Sequence, residues 1–413
     1  MILKELTNDE FNAFTKNNYT SLYQSSNYAL TMTKQGFECY YYGIIDNNKI
    51  YGATLVLIKK TYGFKYAYIP RGYIIDYNNF ELLKEYTDLL KKQLKKMGVI
   101  GIRINPPIVK SIFQNKQFIA NNNYDNIFNN LKQLGYNHLG YNNYFESLKP
   151  RFEAVIPLSN NIQALFNRID KSFKTKIRTA DTNGIKIFQG NETELDKLFL
   201  QTKNKYPRDL KYFEDIYSYF KKENNIELYY SVLNTNDYVR SVQYRYKIQT
   251  NKCSIANDNV FKNVGKDNTK FINIKLYEED RLNKLKEELV YATKLLKEFP
   301  KGIVTSAVLI IKNKTEAYMI MDGYDKTYKK LNSKHLLIWK LIEKFAKEGF
   351  KTFNLGGIAN YNLKNSKYEG LTTFKLNFGA NVYEYMGDLE YIINKPLNLL
   401  YKNSKAVMHL LKK

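Results

Sequence analysis

CYYYGII (Cys39–Ile45), DNN (Asp46–Asn48), KIYGATLVLIKK (Lys49–Lys60) and FKYAYI (Phe64–Ile69) read in succession as strand, turn, strand and strand. Aromatic and β-branched residues crowd the strand segments, and Asp46-Asn47-Asn48 supplies the side chains that favour a tight reversal. From Phe80 to Met97 the period changes. Leu82, Leu83, Tyr86, Leu89, Leu90, Leu94 and Met97 recur at helical spacing, with lysines on the opposite face. Gly98 stops that helix, and VIGIRI (Val99–Ile104) follows as a strand of the buried type. At the start of the chain, Thr7 with Glu10 is the pattern of a capping box opening a short helix.

The same order returns later. IELYYSVL (Ile226–Leu233), IVTSAVLIIK (Ile303–Lys312) and AYMIM (Ala317–Met321) repeat the three strands. LLIWKLIEKFAKE (Leu336–Glu348) repeats the helix up to Gly349, and FKTFNL (Phe350–Leu355) repeats the final strand. Two related α/β domains follow from this duplication.

The halves differ at one point. Where the first has the turn at Asp46, the second has the whole stretch from about Asn234 to Gly302. Leu276, Leu282, Leu285, Leu289, Tyr291 and Leu295 give Ile272–Phe299 the pattern of an amphipathic helix, and Asp237 to about Ser254 suits its antiparallel partner. A helical hairpin grown from a β-hairpin leaves the sheet intact. The section Asn257–Asn273 carries less pattern. This basic arm is either a plain decoration or a contact for RNA or a partner.

The chain has 413 residues and a net charge of +24, a field that favours polyanions such as RNA or an anionic membrane surface. Only Cys39 and Cys253 are present, with His138, His335 and His409 scattered, so neither a disulfide framework nor zinc spacing exists. A metal site or a His-based triad is not expected. MILKELTNDE lacks an apolar signal core and no run approaches a membrane span, so a cytoplasmic location is expected.

Several ordered fragments then carry a resemblance. They are Gln24-Ser25, Pro70-Arg71-Gly72 with Ile75-Asp76-Tyr77, and Asn354-Leu355-Gly356-Gly357-Ile358. After these come Gly370-Leu371, Phe374-Lys375 with Phe378-Gly379, Glu384-Tyr385 with Gly387, and Ile393-Asn394-Lys395-Pro396. In this order they resemble the Fem family of peptidoglycan bridge-forming aminoacyltransferases, over nearly the whole chain. The resemblance implies an α/β (α+β) fold of two tandem GNAT-like acyltransferase domains with an inserted antiparallel helical arm. Residues 1–150 would form the first domain, completed by the tail 386–413. Residues 151–385 would form the second, interrupted by the arm at 235–301. The donor would be aminoacyl-tRNA, and the acceptor a peptidoglycan precursor, lipid II or its UDP-linked form, with no metal or organic cofactor needed.

An aminoacyl ester is already activated, so such an enzyme mainly positions an amine and stabilises an oxyanion. The resemblance places Lys375, with Phe374, at the reacting end. Arg208 and Tyr212 match the residues that hold the precursor's diphosphate-sugar end, and their spacing of four puts both on one face if a helix begins there. Gly356 and Gly357 follow a strand where α/β sheets often bind ligands. Lys174, Lys176 and Arg178 belong to a basic helix suited to RNA or phosphate. Gly72 is expected to serve backbone shape.

Three departures stand out. Asn105 replaces an Asp of many members, Leu30 and Thr31 stand where members often place a Lys for the precursor's phosphates, and Tyr318-Met319-Ile320-Met321 lacks an aromatic pair before Gly323. They leave open a non-catalytic paralogue, immunity-like or binding RNA or precursor. An acyl-CoA transferase is disfavoured, because no pyrophosphate loop precedes Phe80 or Leu336. The tail residues Leu397, Leu400, Val407, Leu410 and Leu411, with Lys402, Lys405, Lys412 and Lys413, suggest a basic amphipathic helix. It would either dock on the first domain or rest on anionic lipid at the inner membrane face.

Overall fold

The computed structural model describes residues 1–18, 21–203, 208–265 and 267–410, with 405–410 described by backbone alone. The strands in chain order are β1 (Ile2–Glu5), β2 (Glu38–Asp46), β3 (Lys49–Thr61), β4 (Phe64–Pro70), β5 (Val99–Asn105), β6 (Val109–Gln114), β7 (Gln117–Ala120) and β8 (Asn137–His138). They continue as β9 (Phe152–Pro157), β10 (Ile185–Gly190), β11 (Ile226–Leu233), β12 (Ile303–Lys312), β13 (Glu316–Tyr324), β14 (Thr352–Ile358), β15 (Asn381–Tyr385) and β16 (Leu389–Ile392). Among the described residues they form a first sheet in the order β1-β2-β3-β4-β5-β16-β8 and a second in the order β10-β11-β12-β13-β14-β9-β15-β6-β7. Each sheet contains one parallel pair, β4 with β5 and β13 with β14. These are the two related α/β units expected from the repeat.

Local chemistry sets these elements. Asn47 and Asn48 both take positive φ, 46° and 63°, which a two-residue hairpin turn requires. The Thr7–Glu10 capping box is present, with both reciprocal bonds made. Asn79 caps the helix Phe80–Lys96 by accepting from the Leu82 amide at 3.1 Å. That helix buries Leu82, Leu83, Tyr86, Leu90 and Leu94 against the first sheet. Each such side chain contributes about 1.5–3 kcal/mol. In the second half Trp339, Leu341, Ile342 and Phe345 of helix Ser333–Lys347 do the same against the second sheet.

A third core joins the halves. Phe11, Tyr23, Tyr28, Leu55 and Ile74 pack with Leu198, Phe213, Ile216, Tyr217, Leu228 and Leu309. The helix Leu210–Lys221 therefore lies beside Ser26–Lys34 from the other half. Strands are also exchanged. The hairpin β6-β7, from the first half, extends the second sheet through β15, while β16 from the tail pairs with β5.

The arm consists of two helices, Thr235–Lys262 and Thr269–Glu298. They run further into the weakly patterned section than the sequence suggests, because each is supported along its length by the other. Tyr238, Val239 and Val242 share a buried cluster with Ala292 and Leu295, Arg245 pairs with Glu288 at 2.9 Å, Gln249 donates to the Glu278 carbonyl at 3.0 Å, and Cys253 and Ala256 are buried further along. The tail forms a helix, Lys395–Leu410, whose Tyr401 ring packs on Phe64 and Tyr66. Leu397 and Leu400 stay exposed. The side chains of Lys405, Val407 and Leu410, and residues Leu411, Lys412 and Lys413, lie outside what is described.

Candidate functional site

The second sheet opens at one place. β13 and β14 pair in parallel over only Glu316↔Thr352, Ala317↔Phe353 and Tyr318↔Asn354, and beyond Asn354 they part. Asn354 turns the strand, its side-chain oxygen accepting from the Gly356 amide at 2.8 Å, and the register with β9 shifts between Asn354 and Gly357. Gly356 has φ +76°, and a Cβ there would stand 3.3 Å from the Met319 carbonyl oxygen and 3.8 Å from Lys375 Nζ. At Gly357 a Cβ would lie 2.4 Å from Pro150. Both glycines thus let side chains and backbone approach the opening closely.

Lys375 sits on the helix Glu369–Leu376, 5% exposed, and donates to the Gly357 carbonyl oxygen at 2.8 Å. A cation held at such a place has the chemistry to stabilise developing negative charge. Phe374 packs on Phe173, His335 and Phe378 with ring centroids 5.7, 5.2 and 5.3 Å away. Lys334 lies 4.5 Å over the same ring and is paired with the buried Asp322. Lys176 approaches this group from the helix Lys171–Thr182, over Phe173 at 4.9 Å. Burial, Lys176 and Lys334 together push His335 down to about 4, so the imidazole is neutral. Lys174 donates instead to the Asn167 carbonyl at 2.9 Å, and Arg178 lies over Phe166 at 5.3 Å.

Arg208 and Tyr212 do not share a helix face as the spacing of four suggests. The helix begins at Leu210 because Asp209 caps it, accepting from the Tyr212 amide at 2.9 Å. Arg208 precedes the helix and folds back, its guanidinium 4.5 Å over the Tyr212 ring. The two residues meet, but by a cap and a cation–π contact.

A buried polar network lies beside this pair, Tyr212 packing against the core that holds Tyr23 and Tyr28, and it reaches the rim of the opening at Tyr318. The Lys149 ammonium donates to the Tyr28 hydroxyl at 3.2 Å and lies 3.4 Å from the Tyr23 ring centroid. Tyr23 donates to Tyr318 at 3.5 Å, and Tyr318 to Glu153 at 3.3 Å. The Tyr318 hydroxyl is also 3.7 Å from the Cβ position at Gly356. Arg71 anchors the centre, bonding Glu153 at 2.7 Å, Asn105 at 3.0 Å and the Pro150 carbonyl at 2.9 Å, and stacking 3.7 Å over Tyr385. Asn354 bridges Glu153 and Glu316 at 2.8 and 3.1 Å. Burial, with Glu153 nearby, raises Glu316 to about 7.

Arg71, Lys149, Glu153 and Glu316 are site residues that sequence reasoning did not single out. Only Pro70-Arg71-Gly72 offered a signal, an arginine between a strand end and a glycine. Gly72 does serve shape, since a Cβ would meet Ile69 at 2.6 Å and Thr54 at 2.8 Å. The departures also find their place. Asn105 donates to Asp388 at 2.7 Å, so a carboxylate is present one residue further into the network. Leu30 is exposed, and Thr31 is buried and bonds back to the Asn27 carbonyl. Among the described residues no group of three or more His, Cys, Asp or Glu is placed to hold a metal ion.

Comparison with known proteins follows this geometry. The FemAB family model matches residues 6–409. Aminoacyltransferase FemA of Staphylococcus epidermidis is 27% identical over 98% of this chain and 100% of its own length. Lipid II:glycine glycyltransferase of Staphylococcus haemolyticus is 25% identical, covering 97% of this chain and 95% of its own. Among solved structures, FemX superposes with a TM-score of 0.73 at 24% identity, over 97% of this chain and 99% of that one.

Proposed function

Given that the chain belongs to the FemAB family, we propose that it is an aminoacyltransferase that moves an amino acid from aminoacyl-tRNA onto a peptidoglycan precursor. The acceptor is the free amine of a stem-peptide side chain, or of a residue already in the growing cross-bridge. The amine attacks the ester carbonyl, a C–N bond forms, and the carbonyl oxygen takes negative charge in the tetrahedral intermediate. The C–O bond to the terminal ribose then breaks, the ribose hydroxyl leaves with a proton, and the amine loses one. Lys375 stabilises the oxyanion, Phe374 walls the pocket, and Gly356 and Gly357 admit the ester to the opening. Arg208 and Tyr212 hold the precursor's diphosphate end, since a guanidinium fork suits phosphate oxygens. Lys174, Lys176 and Arg178 face the RNA.

The observation that carries this reading is the parted β13-β14 pair with a buried lysine held at its Gly357 carbonyl. The names of the similar proteins favour lipid II as acceptor and glycine as donor, with serine and alanine as the other candidates. A tRNA-borne donor and a lipid-linked acceptor would meet in the cytoplasm, at the inner membrane face. Among the described residues no helix is long and apolar enough to cross a membrane.

The test supplies purified protein with glycyl-, seryl- or alanyl-tRNA and either lipid II or its UDP-linked counterpart. Mass spectrometry should show one amino-acid residue added to lipid II with one charged tRNA. No added residue in any combination would overturn the enzyme reading and favour a binding protein.

A further inference from the structure

The acceptor end of the site holds a cation that the proposed mechanism does not use. Lys149 comes from the segment before β9, at the end of the first half, and its amine lies against Tyr28 and Tyr23 from near the start of the chain. Tyr23 and Tyr28, themselves edge to face at 5.2 Å, form two walls around it. Tyr28 lies on the helix Ser26–Lys34, where Leu30 and Thr31 bring no charge. The helix and the 3-10 turn Leu22–Gln24 before it supply the aromatic walls, and a different segment supplies the charge.

Other charges around this amine are unbalanced. Arg71 and Arg208 disfavour its charge and Glu153 favours it, while Glu153 is already paired with Arg71 at 2.7 Å. Tyr23, Tyr28 and Tyr212 are all held above their ordinary pKa, chiefly by burial, and so remain neutral. Converging cations in a half-buried, aromatic-walled site are costly unless an anion joins them. Phosphate oxygens would relieve that cost through charge-assisted hydrogen bonds.

We propose that Lys149 is a third phosphate ligand, binding with Arg208 and Tyr212 the diphosphate of the acceptor. This rests on the assignment of Arg208 and Tyr212 to that diphosphate, and it adds a residue from a segment with no recognised role.

A consequence for pH follows. Burial, Arg71 and Arg208 lower Lys149 to about 7, so the empty site is protonated below that pH and increasingly neutral above it. A phosphate needs the ammonium. Affinity therefore falls as pH rises through about 7, because protonating the amine becomes part of the binding cost.

The experiment measures inorganic pyrophosphate binding by calorimetry between pH 6 and 8.5, beside acceptor and donor KM values. At pH 6, Lys149→Met should weaken pyrophosphate roughly tenfold, as loss of one charge-assisted bond does. It should raise the acceptor KM and leave that of aminoacyl-tRNA unchanged. Lys149→Arg should keep the affinity at pH 6, and the ratio of wild-type to Lys149→Arg affinity should fall as pH rises through 7. A constant ratio, or a raised donor KM in Lys149→Met, would overturn the proposal. If Arg208→Met loses pyrophosphate while Lys149→Met keeps it, Lys149 has no such role and the diphosphate assignment stands. Wild-type protein that transfers amino acids without binding pyrophosphate would overturn both.

Discussion

The two parallel strand pairs began as the same element and end differently. In the first sheet, β4 and β5 pair from Lys65↔Val99 to Pro70↔Asn105, with one register shift between Lys65 and Tyr66 and none toward the Asn105 end. In the second, β13 and β14 separate after Tyr318↔Asn354. The closed end of the first pair is plugged by Arg71, Asn105 and Asp388, all buried, with Asn105 accepting from Arg71 and donating to Asp388. The open end of the second holds Gly356, Gly357 and the Lys375 ammonium. A duplicated fold has thus divided its labour. One copy has become a wall whose polar network sets the position of the other copy's opening.

The largest effect should come from the wall. Arg71→Met leaves Glu153 buried without its ion pair, and loss of one partner of such a pair costs about 3–5 kcal/mol. Chemical denaturation should show this, and Glu153→Gln added to Arg71→Met should recover part of the loss. Equal loss in the double variant would mean that Arg71 acts by packing on Tyr385.

Next comes the opening. Lys375→Ala should slow single-turnover transfer about 10²–10³-fold, the usual cost of losing one oxyanion-stabilising group. Its stability should fall by only about 1 kcal/mol, for one hydrogen bond to the Gly357 carbonyl. An unchanged transfer rate would reject the role given to Lys375.

Glu316 gives a pH signature. Its pKa is raised from 4.5 to about 7 in the folded state. Between these values the native protein keeps a proton that the unfolded chain has lost, so stability declines as pH rises from about 4.5 to about 7. The full decline is at most about 3 kcal/mol. Glu316→Gln should flatten that part of the stability–pH curve, and an unaltered slope would assign the decline to other groups.

The smallest effects separate the two pairs most cleanly. Gly101→Ala puts a Cβ 2.7 Å from the Tyr66 ring in the closed pair, and Gly356→Ala puts one at φ +76° in the open pair. Each should cost about 1–2 kcal/mol of stability. Only Gly356→Ala should also lower kcat. If Gly101→Ala lowers kcat equally in folded protein, the division of labour fails.

The sequence disclosed those parts of the fold that rest on local rules. The Asp46 turn, the Thr7–Glu10 box and the helix over Leu82–Leu94 follow from period and capping, which neighbouring residues encode. The exchanged strands were not legible. β6 and β7 offer six and four residues, and their place at the edge of the second sheet depends on β15, far along the chain. The same distinction holds in the site. Phe374-Lys375 and Gly356-Gly357 lie in contiguous motifs that can be noticed. Lys149, Glu153 and Glu316 take their character from burial and from charges brought in by tertiary contact, so no neighbour in sequence marks them. Arg208 shows the intermediate case: its pairing with Tyr212 was legible, while the Asp209 cap that shapes the pairing was not.

A direct test of this account is to locate the donor's reacting end. A tRNA carrying a photoreactive group on its 3′-terminal adenosine would be crosslinked to the protein, and the adducts mapped by peptide mass. The account predicts adducts in Asn354–Ile358 and Glu369–Leu376, at the mouth of the parted strands. Adducts confined to Phe64–Pro70 and Val99–Asn105 would contradict it.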